Sequence, residues 1–179
     1  MKTVLVPLFE GFEEIEAITI IDVLRRADIE VVTASLETKT VIGAHAIAIS
    51  ADKLLDEIDA SKFDAIALAG GAGTFRLRED PRLAPILIAH AKTNKLLGAI
   101  CAAPTVLSDA GLLKGKRATS FPSVKSQLEL GEYLEIPVVV DGNVVTSRGA
   151  GTAMAFALKL VEILQGKAIA NKLATDMIV

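Results

Sequence analysis

Leu96-Leu97-Gly98-Ala99-Ile100-Cys101-Ala102-Ala103-Pro104 decides the reading of this chain. Five apolar or small residues describe a buried strand, and the only cysteine of the protein follows at once. Two alanines, a proline and then Thr105-Val106-Leu107 describe the start of a helix. Proline suits a first helical turn, where its missing N–H has no partner to lose. Cys101 therefore falls on a sharp strand-to-helix turn whose small neighbours let the backbone bend tightly. That is the layout of a nucleophile elbow, with sulfur in the place of a hydroxyl oxygen. The amides of the following helix would face the sulfur, and its positive end would favour the thiolate. A lone cysteine also serves as a small buried hydrophobe, and the local pattern leaves the two readings level.

Working outward, the segments on either side describe an α/β chain. Thr3 to Phe9 is a continuous apolar run, the signature of a central parallel strand, with Pro7 its one weak point. Glu13 to Ala27 follows as a helix, with Ala17, Ile20, Ile21 and Leu24 on one face, acidic residues in its first turn and arginines in its last. Glu16 projects in line with Ile20 and Val23 at the flank of the apolar stripe, where lost solvent raises a carboxyl pKa. It also reads as an idle first-turn glutamate that suits the helix dipole. Glu30 to Ser35 is a second strand, and short strands at 39–42 and 46–50 flank Gly43-Ala44-His45, with His45 a surface or interface residue. Asp64 to Ala69 is another buried strand, ending in Gly70-Gly71-Ala72-Gly73-Thr74 on the same sheet edge as Cys101. These glycines can present amides to an anion or simply form a turn. Arg82 to Lys92 is an amphipathic helix carrying a partly exposed, structural His90. Ser123 to Leu130 is a short helix, Val138 to Thr146 a hairpin turning at Asp141-Gly142, and helices cover 153–164 and about 167–176.

Composition narrows the function. The 179 residues suit one domain, 1–179, with a sizeable core. Hydrophobic residues make up 51% and aromatics only 4%, so the core must be aliphatic, as in a sheet covered on both faces. A net charge of −3 with interspersed signs gives no basic patch for nucleic acid, and no apolar run is long enough to span a membrane. A soluble cytoplasmic protein is the expectation. With one cysteine and two separated histidines, neither a disulfide framework nor a zinc or iron–sulfur site is expected, and no cofactor fingerprint is present. A thiol hydrolase of the usual kind needs an imidazole near its nucleophile. Here Ala102 follows the cysteine and no histidine occurs after His90, which disfavours cysteine peptidase and amidotransferase chemistry.

Five motifs occur in a recognisable order: Glu13-Glu14-Ile15-Glu16-Ala17, Asp22-Val23-Leu24-Arg25-Arg26, Leu68-Ala69-Gly70-Gly71, Ala99-Ile100-Cys101-Ala102-Ala103-Pro104 and Thr146-Ser147-Arg148-Gly149-Ala150-Gly151-Thr152. Together they resemble the ThiJ/PfpI superfamily over nearly the whole chain, and within it the branch of the Parkinsonism-associated deglycase and the bacterial YajL/ThiJ proteins. The resemblance implies a flavodoxin-like three-layer α/β sandwich, a mostly parallel sheet with helices on both faces, and a homodimer. It implies that Cys101 is the reactive thiolate and Glu16 its protonated hydrogen-bonding partner. Gly70, Gly71 and Ala102 are implied as the anion-binding loop, the amides of Gly71 and Ala102 being the oxyanion donors. Arg26 and the Arg148 loop are implied to gather at the dimer interface beside the cysteine. Two positions depart from the Parkinsonism-associated protein: Phe121 replaces a histidine, as in the bacterial branch, and His45 stands where an arginine aligns. Ala102 separates the chain from the PfpI-type peptidases, which place histidine there.

The implied reaction is cofactor-independent: a 2-oxoaldehyde such as methylglyoxal or glyoxal, or an early adduct of one on a protein side chain, adds to the cysteine as a hemithioacetal and leaves as a 2-hydroxy acid. The alternative is a redox-sensing chaperone of the oxidative-stress response that uses oxidation of the same cysteine.

Overall fold

The computed structural model describes residues 1–179. β1 (Thr3–Leu8), α1 (Glu14–Arg26) and β2 (Glu30–Ser35) form the first strand–helix–strand unit. A hairpin of β3 (Thr40–Ile42) and β4 (Ala48–Ser50) follows, then the two-residue β5 (Lys53–Leu54). β6 (Ala65–Leu68) leads through α2 (Thr74–Glu79) and α3 (Leu83–Lys92) to β7 (Leu96–Ile100). Next come α4 (Pro104–Asp109), β8 (Arg117–Ala118), a 3-10 segment Pro122–Gln127 and β9 (Glu132–Tyr133). The hairpin of β10 (Val138–Asp141) and β11 (Val144–Ser147), then α5 (Ala153–Gln165) and α6 (Lys167–Asp176), complete the element order.

Seven strands form one sheet in the order β10-β11-β7-β6-β1-β2-β5, every pair parallel except β10 with β11. From β1 the chain moves one way to β2, whereas β6, β7 and β11 lie on the other side. Right-handed crossovers therefore send α1 to one face and α3 to the other. α1, α5 and α6 pack together, as do α2, α3 and α4, giving the flavodoxin-like sandwich. The core is one cluster of 46 residues in which four phenylalanines join Ile, Val, Leu and Ala, as the low aromatic content requires. Gly98 sits beneath α5, where a Cβ would lie 3.0 Å from Phe156 Cζ and 3.2 Å from Leu160 Cδ2. No helix is long and apolar enough to cross a membrane.

Pro7 is tolerated at the centre of the sheet because its neighbour on one side has stopped. β1 pairs with β6 only at Val4 and Leu5, while pairing with β2 continues to Leu8. Several expectations need correction. α2, β5, β8 and β9 are too short to carry a periodicity, and were not anticipated. The segment after Phe121 is a 3-10 turn over Pro122–Gln127 rather than a helix over 123–130. Register pairs Asp141 with Val144, so the turn residues of the last hairpin are Gly142 and Asn143, with Gly142 at φ 61°. His90 is 3% exposed, not partly exposed. It shares the inner face of α3 with Leu83 and Leu87, and burial together with Lys95 pushes its pKa down to about 4.

Candidate active site

Four parallel strands end on one edge of the sheet, and each contributes the residues just beyond its end. The gap beside β1 is where strand order reverses, the position at which open α/β sheets leave a crevice. Past β7, Cys101 has φ 64°, the left-handed region that a residue with a side chain enters at a cost of about 1–3 kcal/mol. The turn is held there from both sides: Cys101 N–H donates to Ser147 C=O at 3.0 Å and Phe121 N–H donates to Cys101 C=O at 2.8 Å. Pro104 occupies the first turn of α4, and Thr105 Oγ1 donates to Ala102 C=O at 2.7 Å. The elbow read from the sequence is present, and the sulfur is half-buried.

The glycine loop past β6 is shaped by what it packs against. A Cβ on Gly70 would lie 2.7 Å from Cys101 Cβ and 2.8 Å from Ala102 N, so no larger residue fits beneath the elbow. Gly71 has φ 119° and faces the turn after β1, where an added Cβ would come 2.5 Å from Gly11 O. Glu13 N–H donates to Gly70 C=O at 2.8 Å and Gly73 N–H to Gly11 C=O at 3.0 Å, which welds the two loops together. The amides of Gly71 and Ala102 are the backbone groups that favour the Cys101 thiolate. Gly70 does something different from the expectation of an anion donor. Its N–H donates to Glu16 Oε2 at 2.8 Å, so it positions the carboxyl instead.

Glu16 lies in the first turn of α1 and is fully buried. Oε2 is held by Gly70, while Oε1 has no partner of conventional geometry, and the polar group that couples to the carboxyl is the Cys101 thiol. Burial pushes the Glu16 pKa up to about 7, against the pull of the Gly70 amide. Burial and then a charged Glu16 push the Cys101 thiol up to about 12, while the Ala102 and Gly71 amides draw it down. Burial and a charged Glu16 thus oppose the thiolate that the helix end and the two amides favour. α4 has only six residues, and desolvation outweighs the amides as long as Glu16 is charged. Both shifts follow one shared proton: once it sits on Glu16, the charge opposing a thiolate is gone and an O–H faces the sulfur.

The remaining expected residues separate into two groups. Phe121 and Arg148 meet beside the elbow, where they line an open groove of about 380 Å³ with Pro122 and the residues 149–152. His45 is not brought to Cys101 within the chain. Its Nδ1 lies 2.8 Å from Glu14 Oε2, and its N–H donates to Glu14 Oε1 at 2.6 Å. That contact raises the His45 pKa. Burial raises that of Glu14, but the hydrogen bonds from His45 and Ile47 outweigh it and leave the carboxyl below its usual value. Arg26 ends α1, ten residues and about 15 Å of helix beyond Glu16, and is paired with Asp22 at 2.7 Å. Glu14, which the sequence did not single out, clamps the β3–β4 turn onto α1. The only hint was Gly43, whose Cβ would sit 2.3 Å from Glu14 Oε1. Atoms of Glu13, Glu14 and His45 lie within 4.8 Å of one another, but both Glu14 oxygens are already engaged, so the cluster is a clamp.

Residues 2–163 match the DJ-1/PfpI family. The chain belongs to that family. It is 44% identical over 92% of its length to DJ-1 homolog B of Arabidopsis thaliana, of which it spans only 38%. It is 40% identical to a Caenorhabditis elegans protein named glutathione-independent glyoxalase DJR-1.2, covering 92% of this chain and 89% of that one. A Thermococcus kodakarensis protein named a deglycase is 31% identical over 90% of this chain and 99% of its own length. Among solved structures, DJ-1beta of Drosophila melanogaster superposes with a TM-score of 0.95 at 41% identity, covering 99% of this chain and 98% of that one.

Proposed function

We propose that this DJ-1/PfpI family member converts 2-oxoaldehydes, methylglyoxal and glyoxal among them, to 2-hydroxy acids without a cofactor, and releases the early adducts of these aldehydes from protein side chains. The observation that carries the reading is the fully buried Glu16 carboxyl, held by the Gly70 amide at 2.8 Å and with its pKa pushed up to about 7 by burial, coupled to a half-buried cysteine on a strained elbow. A carboxyl poised near neutrality gives and takes protons with little driving-force penalty. The Cys101 sulfur adds to the aldehyde carbon as the thiol proton passes to Glu16. The new oxyanion is received by the Gly71 and Ala102 amides and takes the proton from Glu16, giving a hemithioacetal and freeing the carboxylate. Glu16 removes the proton from the former aldehyde carbon and returns it to the adjacent carbon through the enediol. The resulting thioester takes up water, releasing the 2-hydroxy acid and restoring the thiol. The names of two relatives, a glyoxalase and a deglycase, support this chemistry.

Supplied with methylglyoxal and no glutathione, the purified protein is expected to form lactate, followed by NMR, and Cys101→Ser to form none. Equal lactate from both would overturn the reading.

A redox role for the same cysteine is favoured by one observation: two amides and a protonated Glu16 are the donors a sulfinate needs, and the chain has no second thiol to resolve a sulfenate into a disulfide. Peroxide would then add oxygen at Cys101 in two steps, each releasing water. A homodimer is supported by the outer face of α1, where Ile15 and Ile18 are 58% and 43% exposed beside Ile47 at 54%. Residues 1–179 acting as one domain, and a reducing, cytoplasmic setting suited to a free cysteine, complete the proposal.

A further inference from the structure

The protein has seven arginines. Arg25, Arg26, Arg76, Arg78, Arg82 and Arg117 each pair with a carboxylate. The seventh, Arg148, makes neither an ion pair nor a side-chain hydrogen bond, and no aromatic ring lies under its guanidinium. It is half-buried and it is the one beside the elbow. In the parallel register Ser147 stands level with Ile100, so Arg148 stands level with Cys101. A guanidinium that has lost part of its water and has no internal counter-charge is a strained arrangement in a folded chain, since arginine carries its charge at any accessible pH.

The surroundings make the guanidinium the positive group on offer there. The Arg148 and Gly149 amides are both spent on Thr152 Oγ1, at 3.2 and 3.1 Å, so neither is free for an anion. Lys125, in the 3-10 segment that follows Phe121, is taken by Glu135 and lies over Tyr133. Phe121, 46% exposed and packed 3.3 Å from the place a Gly149 Cβ would fill, gives the groove an apolar side. The groove thus offers a planar two-pronged cation at one side and an apolar wall, next to a cysteine.

We infer that this groove receives the far end of a carboxylate-bearing 2-oxoaldehyde, with Arg148 as the residue that selects it by a two-pronged contact. The inference rests on the dicarbonyl reading of the site and names its substrate class. Methylglyoxal is too short to use the groove; a dicarbonyl with two further carbons and a terminal carboxylate uses both the apolar wall and the guanidinium.

Two substrates of equal chain length isolate the charge: 4,5-dioxopentanoate, which ends in a carboxylate, and 2-oxopentanal, which ends in a methyl group. The wild type is expected to favour the first in kcat/KM by tenfold or more. In Arg148→Met that ratio should fall to one or below, and in Arg148→Lys it should recover in part, because lysine keeps the charge and loses the fork. An unchanged ratio in Arg148→Met, or a wild type that prefers 2-oxopentanal, overturns the inference. Binding separates this outcome from failure of the dicarbonyl reading. The Arg148 Nε–Hε NMR signal of the unmutated protein, titrated with 2-hydroxypentanedioate and in parallel with 2-hydroxypentanoate, should move with the dianion alone. A signal that ignores both, as it would if a second copy of the chain already supplied a carboxylate, refutes the role of Arg148 whether or not any dicarbonyl is turned over.

Discussion

Replacing Glu16 with glutamine tests the buried carboxyl through stability before any catalysis is measured. The amide keeps the shape of the side chain and an oxygen to accept the Gly70 N–H, but it cannot ionise. In the wild type the carboxyl titrates at its usual 4.5 when unfolded and near 7 when folded. A raised carboxyl pKa means that folding favours the protonated form. Its contribution is fully present below about 4.5 and is lost as pH rises to 7 and above. At 1.36 kcal/mol per pH unit the loss amounts to roughly 3 kcal/mol, to order of magnitude. Urea unfolding of wild type and Glu16→Gln at pH 5 and pH 8 should therefore show the variant gaining on the wild type by about that much. The same substitution removes the charge that opposes the thiolate, so the ultraviolet thiolate titration of Cys101 should move to lower pH. Lactate formation should nonetheless collapse, because a more ionised sulfur has lost its proton carrier. A stability difference that does not change with pH would refute a buried, raised carboxyl, and retained turnover would refute its proton-carrying role.

Three further outcomes follow from the same contacts. His90 is neutral and buried in the folded chain, with a pKa near 4, so its contribution is full above about 6.5 and lost as pH falls toward 4; His90→Leu should flatten acid-side unfolding followed by circular dichroism. Gly70→Ala places a Cβ 2.7 Å from Cys101 Cβ, and should abolish lactate formation and lower stability by about 1–3 kcal/mol. Gly98→Val intrudes on Phe156 and Leu160 far from the sulfur, and should cost a similar 1–3 kcal/mol in urea unfolding while lactate turnover by the folded fraction persists.

The parallel strands were legible because each is buried on both faces and so reads as an unbroken apolar run, as at Val4-Leu5-Val6 and Ile66-Ala67-Leu68. The long helices were legible because α1 and α5 each bury one stripe. β5, β8 and β9, two residues each, exist only through pairing with distant partners, and no local pattern reports that. His90 misled for a related reason. A histidine among Ile88, Ala89 and Ala91 looks like an edge residue, and only the packing of α3 shows that it faces inward.

The site divides along the same line. Cys101 was visible because its conformation is written locally, in small residues and a proline around the bend. Glu16 was visible as a position at the flank of the apolar stripe, but its chemistry was not, since the Gly70 amide and the sulfur that determine its proton affinity arrive from 54 and 85 residues away. A helix end and two amides, considered alone, argue for a thiolate. A charged carboxyl delivered by α1 argues more strongly for a thiol. Whether the sulfur is a nucleophile at rest is thus a property of the pair, decided by where one proton sits. Substrate arrival can change that balance only by giving the proton a reason to move, which an aldehyde oxygen taking on negative charge between the Gly71 and Ala102 amides does.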